Sequence, residues 1–363
     1  MSVVPVTAML FHGPNRPWEK VQLVSPEPKE GEIRVRILAC TICGSDLHSV
    51  SGRRAVPTPS ILGHEIVGQI ESFGPNANRI SVDQKPLHIG DAIVWSLVAD
   101  CGSCFYCQRN LPQKCEKAFK YGHHRFDQQH GLSGGFATHC MLVPGTRMVA
   151  LPIDLPVEIA CPVSCATATI VAAIEQLQIR QGDRALVLGA GMLGLTACAM
   201  LKTLGSSEVI CVEKNERRRA LALQFGATVA VQPEALEQVV HDRCGGYGVD
   251  CLVECTGANQ AFESAFPQVR IGGRIALVGA VFPQPGSPIV LERIVRKNLT
   301  IAGIHNYKPM DLVNAVQFLA NHKDRFPFST LVASWYNLDD IEKAMHHSQS
   351  QQGVRIGVIP QIP

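Results

Sequence analysis

The chain has no dominant charge, since 33 Lys and Arg face 31 Asp and Glu. This balance offers no basic field to a phosphate polymer or an anionic bilayer, which excludes nucleic acid and a membrane surface as main partners. There is no long run of like charge, no low-complexity segment and no internal repeat, so neither a solenoid nor a disordered chain fits. Long hydrophobic runs are missing too. One apolar uncharged stretch, Ala185–Leu201, has 17 residues, at the lower limit for a membrane helix, and three glycines interrupt it. Met1–Gly13 lacks the basic-then-apolar order of a secretory signal, which predicts a cytoplasmic protein.

What remains is the composition of an ordinary folded protein: 363 residues, 46% hydrophobic, 18% charged, 31 Gly. The length suggests two domains. From Val6 to about Ala150, short β-rich runs (Glu32–Ala39, Ile66–Phe73, Ala92–Leu97) are separated by Gly, Pro, Asn and Asp turns, the texture of an irregular β domain. From Gly182 the pattern changes. Apolar strands at Ala185–Leu188, Glu208–Glu213, Val249–Glu254 and Arg274–Val278 alternate with helices near Met192–Leu204 and Glu216–Phe225, implying a parallel sheet with right-handed crossovers. The tail adds helices at Met310–Asn321 and Asp339–His347, and a closing strand, Val354–Ile359, that returns to the first domain.

Cysteine is plentiful, fourteen in all, and in a reducing compartment clustered cysteines point to metal or chemistry before disulfides. Cys101, Cys104, Cys107 and Cys115 form a C-x2-C-x2-C-x7-C run, which suits the closed tetrahedral sulfur sphere of a structural zinc. A ferredoxin-type cluster would place its fourth cysteine three residues on and follow it with proline; here Glu116 follows Cys115. A second group, Cys43-Gly44-Ser45-Asp46-Leu47-His48 and Gly63-His64-Glu65, mixes sulfur, imidazole and carboxylate, as a catalytic zinc with one open position requires. Cys43 and His64 supply two ligands, and Cys161 or Cys165 the third. The other cysteines, Cys40, Cys140, Cys198, Cys211, Cys244, Cys251 and Cys255, read as small buried residues.

The third signal is Gly189-Ala190-Gly191-Met192-Leu193-Gly194, a G-x-G-x-x-G between an apolar strand and a helix. Its glycines permit a tight turn, close approach of a pyrophosphate and close helix–strand packing, while the helix N-terminus attracts the anion. Glu213, 24 residues after Gly189, is placed to accept hydrogen bonds from a ribose, which favours NAD. Arg217, Arg218 and Arg219 keep NADP open, because each could pair with a 2′-phosphate.

With these motifs the sequence resembles a zinc-dependent medium-chain dehydrogenase/reductase of the alcohol dehydrogenase family, from about Ile33 to Val358. The resemblance implies an α/β protein: a GroES-like, β-rich catalytic domain over 1–155, completed by about 303–363, and a Rossmann domain with a doubly wound parallel sheet over 156–302. It implies two zinc ions per chain, NAD as cofactor, a small alcohol or its aldehyde or ketone as substrate, and a homodimer or homotetramer with contacts near Arg274–Val278 and Phe282–Val290. It selects Cys165 as third zinc ligand and gives Glu65 the role of an alternative ligand. Ser45 resembles the hydroxyl that takes the substrate proton, His48 the end of the relay and Asp46 the partner orienting His64. Thr169 resembles a residue at the nicotinamide, Arg218 one at the adenosine ribose and Arg355 one at the pyrophosphate. Family spacing places Leu97 and Trp95 at the pocket wall. Lys120-Tyr121-Gly122-His123-His124-Arg125 carries four basic side chains in six residues, so His123, His124 and Arg125 are candidates for an anionic substrate group. Ile61–Gly68, Leu111–Glu116 and Ser133–Phe136 are similar to a subgroup associated with phosphonate catabolism, which implies a hydroxyalkyl- or oxo-phosphonate substrate.

Overall fold

The computed structural model describes residues 4–127, 131–350 and 353–360. Its chain divides into two compact units, one of Met1–Ala168, Lys308–Lys323 and Phe328–Pro363, the other of Thr169–Tyr307 and Asp324–Pro327.

The first unit is built on a seven-stranded sheet. Its order is Val332–Asn337, Arg355–Ile359, Ile33–Thr41, Glu65–Phe73, Ala92–Trp95 and Met148–Ala150, with His139–Leu142 also pairing Ile33–Thr41. The central strand Ile33–Thr41 alternates apolar and charged side chains over Ile33–Ile37 and is buried on both faces over Ala39–Thr41. Its inward side chains Ile33, Val35 and Ile37 join Ile66, Ile70, Ile93, Trp95 and Phe136 in one core. Trp95, a sequence candidate for the pocket wall, lies in that core, 3% exposed and edge-on to Tyr121. The closing strand Arg355–Ile359 does return to the first unit, pairing antiparallel with Cys40 and Thr41.

The second unit holds a six-stranded parallel sheet in the order Val229–Val231, Glu208–Val212, Arg184–Leu188, Val249–Glu254, Val269–Leu277 and Thr300–Gly303. The chain starts in the middle, builds outward to one edge, then returns to build the other, so the direction of winding reverses between Arg184–Leu188 and Val249–Glu254. Ligands of open α/β sheets bind at the carboxyl ends of such a switch point. Four expected strands appear with bounds moved by a residue or so, except that the fourth begins at Val269 in place of Arg274. Gly272 and Gly273 conceal its first half in the sequence, and the pairing shifts register there.

No single helix among the described residues is long and apolar enough to cross a membrane.

Candidate functional site

Two groups of potential metal ligands assemble, each with donor atoms within 4.8 Å of one another: Cys101, Cys104, Cys107 and Cys115, and Cys43, His64, Glu65 and Cys165. Both lie in the first unit. In the first group, Cys104 Sγ is 3.5 Å from Cys107 Sγ and 3.9 Å from Cys115 Sγ. Sulfurs sharing a tetrahedral zinc at about 2.3 Å lie about 3.8 Å apart, so the spacing fits that ion. The N–H groups of Cys101 and Lys117 each donate to Cys115 Sγ at 3.3 Å, which stabilises negative charge on sulfur.

The second group is held by short-range rules. The helix Gly44–Val50 starts at Cys43, and Asp46 in its first turn reaches back to accept from the Cys43 N–H at 2.9 Å. The other oxygen of Asp46 accepts from the Gly63 N–H at 3.4 Å and faces His64 Nδ1 at 3.2 Å. One buried carboxylate therefore ties both ligand-bearing segments together and leaves Nε2 of His64 free to bind a metal. Gly63 makes that approach possible. Its φ is +85°, and a Cβ there would meet Cys40 Sγ at 2.9 Å. Gly63→Ala should therefore displace His64 and lower zinc content at this group, read by metal analysis; a variant with two full zincs would refute this.

Cys43 Sγ and Cys165 Sγ are 3.8 Å apart, again the separation of sulfurs on one zinc. Cys165 follows the short helical segment Cys161–Ser164, whereas Cys161 is fully buried and its thiol pushed well up by burial. Of the two, Cys165 joins Cys43, His64 and Glu65 in the group and Cys161 does not. The Cys43 thiol is drawn well below its ordinary pKa, foremost by Cys165 and further by Arg355 and His64, despite its burial. Burial opposes a charge on His64, but Asp46 and Cys43 raise its pKa well above normal. Ser45 Oγ stands 3.3 Å from His64 Nε2, and His48, three residues on, shares its helix face.

Glu65 is fully buried and shielded from solvent. It accepts from Thr41 Oγ1 at 2.6 Å and from Arg355 Nε at 3.0 Å and Nη2 at 3.1 Å. Burial pushes its pKa up to about 7, with Arg355 pulling in the other direction. Arg355, expected at a pyrophosphate, also sets Nη2 3.7 Å from Cys43 Sγ. Its guanidinium is thus engaged within the second metal group.

The substrate candidates separate. His123 packs edge-on against His64, ring centroids 5.1 Å apart, and Leu97 is buried, its carbonyl accepting from the Tyr121 N–H at 3.1 Å. His124 instead stacks on Phe119 at 4.0 Å, and Arg125 is exposed, its backbone bridged to Ser60. Arg54, which sequence reasoning left out, and Lys120, which opens the basic run Lys120–Arg125, are half-buried, and both interact electrostatically with Cys165. Arg54 follows an ordinary glycine turn and no motif marks it.

In the second unit, Gly189 adopts φ +88° and Gly191 precedes the helix Met192–Thr203, with open space where its Cβ would be. A Cβ on Gly194 would lie 1.7 Å from Gly189 O, so only glycine fits. Met192 is buried and Leu193 half-buried in the first turn. Glu213 accepts from the Ala190 N–H and the Asn215 N–H, each at 2.8 Å, so its carboxylate lies against the glycine loop. Arg219 donates to the carbonyls of Glu213 and Lys214, while Arg218 lies in the first turn of the next helix, Glu216–Gln224. Thr169 lies one turn beyond Cys165 in the helix Ala166–Leu177.

Comparison with known proteins agrees with this geometry. The alcohol dehydrogenase GroES-like domain family matches residues 29–153, and the zinc-binding dehydrogenase family matches 193–321. The 5-exo-hydroxycamphor dehydrogenase of Pseudomonas putida is 30% identical over 340 residues, 90% of this chain and 91% of that protein. An alcohol dehydrogenase of Geobacillus stearothermophilus is 32% identical over 312 residues, 85% of this chain and 87% of its own. The crystal structure of a Thermotoga maritima alcohol dehydrogenase superposes with a TM-score of 0.92 at 26% identity, covering 99% of this chain and all of that one. The chain belongs to the zinc-dependent medium-chain dehydrogenases of the alcohol dehydrogenase family, and is an oxidoreductase acting on alcohols.

Proposed function

We propose that the protein oxidises a small alcohol, or reduces the matching aldehyde or ketone, with NAD(H) as hydride carrier. The substrate we infer is a hydroxyalkyl- or oxo-phosphonate. The observation that carries the reading is the second metal group: two sulfurs at zinc spacing and an imidazole fixed by a buried carboxylate.

In this reading Cys43, His64 and Cys165 hold a catalytic zinc and the four clustered cysteines a structural one. When bound, the catalytic ion supplies Lewis acidity to an alcohol oxygen and lowers its pKa. Ser45 Oγ accepts the hydroxyl proton, and His48 on the same helix face passes it to solvent. The pKa of His48 is depressed, first by burial and then by Arg53, so it is neutral near pH 7 and able to take that proton. Asp46 Oδ1 faces His64 Nδ1 at 3.2 Å, which favours the tautomer with its proton on Nδ1 and leaves Nε2 to the metal. Removing this acceptor should be costly: Ser45→Ala is expected to lower kcat by roughly 10²–10⁴-fold while zinc content stays at two. A kcat unchanged by Ser45→Ala would remove Ser45 from the reaction.

The preference for NAD rests on Glu213. Its carboxylate, fixed against the glycine loop, accepts from ribose hydroxyls and repels a 2′-phosphate. Arg219 is occupied by backbone carbonyls, which leaves Arg217 and Arg218 as the cations for NADP. The glycine loop, Met192, Leu193 and Glu213 bind the dinucleotide, with Thr169 and Arg218 as further contacts, while Arg355 is held by Glu65 in the metal group. A homodimer or homotetramer is part of the same reading: the helix Leu291–Lys297 exposes Leu291 at 72% and Val295 at 77%, next to the edge strand Thr300–Gly303.

The experiment is dinucleotide reduction at 340 nm by zinc-replete protein, with alcohols of graded size and charge and with NAD and NADP in parallel. Failure to reduce either dinucleotide with any alcohol would overturn the reading.

A further inference from the structure

The second metal group has more positive charge around it than its chemistry uses. Arg54 and Lys120 are half-buried, and among the described residues neither side chain has a carboxylate within ion-pair distance. Arg54 follows the helix that carries Cys43 and Ser45, its N–H donating to His48 O at 3.0 Å. Lys120 ends the strand Phe119–Lys120, paired with Val98, and begins the turn in which the His123 N–H donates to Lys120 O at 3.2 Å. That turn is pressed onto the metal group. A Cβ on Gly122 would lie 2.5 Å from Gly63 O, and His123 meets His64 edge-on.

The cations feel one another and the site. Burial, then Arg54, lowers the Lys120 pKa, and both cations interact electrostatically with Cys165. The thiolates do not serve as their counterions once zinc is bound, since the two charges of the metal cancel those of Cys43 and Cys165. Arg355 cancels Glu65. Asp46 offsets one of the two remaining cations, and one positive charge is left over. Half-buried charge with no carboxylate paired to it is costly, so it points to an anion that arrives with the substrate. His123 adds direction. Its Nδ1 faces Tyr121 O at 2.9 Å, a carbonyl that can only accept, so Nδ1 carries the proton and Nε2 is left as an acceptor for a hydroxyl or a protonated phosphonate oxygen.

We propose that Arg54 and Lys120 form the subsite for an oxyanion on the substrate, making the enzyme selective for small alcohols that carry a phosphonate or a carboxylate. The inference rests on the dehydrogenase reading above and moves the anion contact from His124 and Arg125 to this pair. Arg supplies a forked donor and Lys a point charge, a combination that suits tetrahedral and planar oxyanions alike.

The test separates binding from turnover. Calorimetry on the zinc-replete protein uses methylphosphonate, acetate and neutral tert-butanol as probes, with Arg54→Leu, Lys120→Leu and, as a charge control, the exposed neighbour Arg53→Leu. Methylphosphonate should bind, and each of the first two substitutions should raise its Kd about 10- to 100-fold, while Arg53→Leu changes it by less than about threefold. In kinetics, KM for 2-hydroxyethylphosphonate should rise in Arg54→Leu and Lys120→Leu with kcat little altered. Acetate binding as tightly as methylphosphonate would assign a carboxylate as the anion; weaker acetate assigns the phosphonate. Tert-butanol binding as well as either anion, or a Kd that neither substitution moves, overturns the subsite. Should anion binding weaken as stated in a protein that oxidises no alcohol, the subsite holds and the dehydrogenase reading falls; alcohol oxidation with charge-insensitive binding keeps the dehydrogenase and removes the subsite.

Discussion

Cys165→Ala should take the zinc content from two per chain to one and lower kcat/KM by roughly 10³-fold or more, with the secondary structure intact. The reasoning starts from geometry. Cys165 Sγ is 3.8 Å from Cys43 Sγ, and its removal leaves one sulfur and one imidazole for the ion, because Glu65, the remaining member of the group, is engaged by Thr41 and Arg355. Two ligands do not hold zinc at working concentrations, and the lost Lewis acidity is worth several kcal/mol of barrier, which at about 1.4 kcal/mol per decade gives the stated factor. The fold survives because Cys165 is partly exposed and ends a short helical segment without joining the apolar core. The same change at Cys161, fully buried, should leave both zincs in place and act on stability alone. Atomic absorption together with circular dichroism distinguishes the two; loss of catalytic zinc from Cys161→Ala, with Cys165→Ala unaffected, would reverse the ligand assignment.

The contrast between these cysteines shows what a sequence can carry. Cys43 and His64 stand out because the chemistry needs mixed ligands close together, and C-x2-C-x2-C-x7-C because spacing alone confines four sulfurs to one loop. The parallel sheet of the second unit is legible for a similar reason: its strands are largely buried and read as mainly apolar runs. Signals fade where contacts are made across long separations. Val332–Asn337 has polar and half-buried positions and takes its place by pairing with Arg355–Ile359. Thr300–Gly303 is a short edge strand with little to bury. Arg54 belongs to no motif, and what makes it notable, burial without a carboxylate partner, exists only after folding. Arg355 is 290 residues from Glu65, so no local pattern announces their ion pair.

That pair should dominate the stability of the first unit. Arg355→Leu leaves the Glu65 carboxylate fully buried with Thr41 Oγ1 as its remaining donor, and removing one partner of a buried pair costs about 3–5 kcal/mol. For the double variant Arg355→Leu, Glu65→Leu the expectation is different, because no unpaired charge is left behind: it should recover much of the loss, and a thermal or urea unfolding cycle over the four proteins measures the coupling. The pH dependence fixes the cause. Glu65 already has its folded pKa raised above the unfolded value to about 7, so its charged form penalises the folded state increasingly as pH rises through that window. Loss of Arg355 removes the main influence pulling that pKa down and moves it higher still. The deficit of Arg355→Leu relative to the parent should therefore shrink near pH 5, where Glu65 takes up a proton, and widen toward pH 8. A deficit that is flat across this range, or a double variant as unstable as the single one, would mean that the arginine acts through packing of its stem and not through the charge of Glu65.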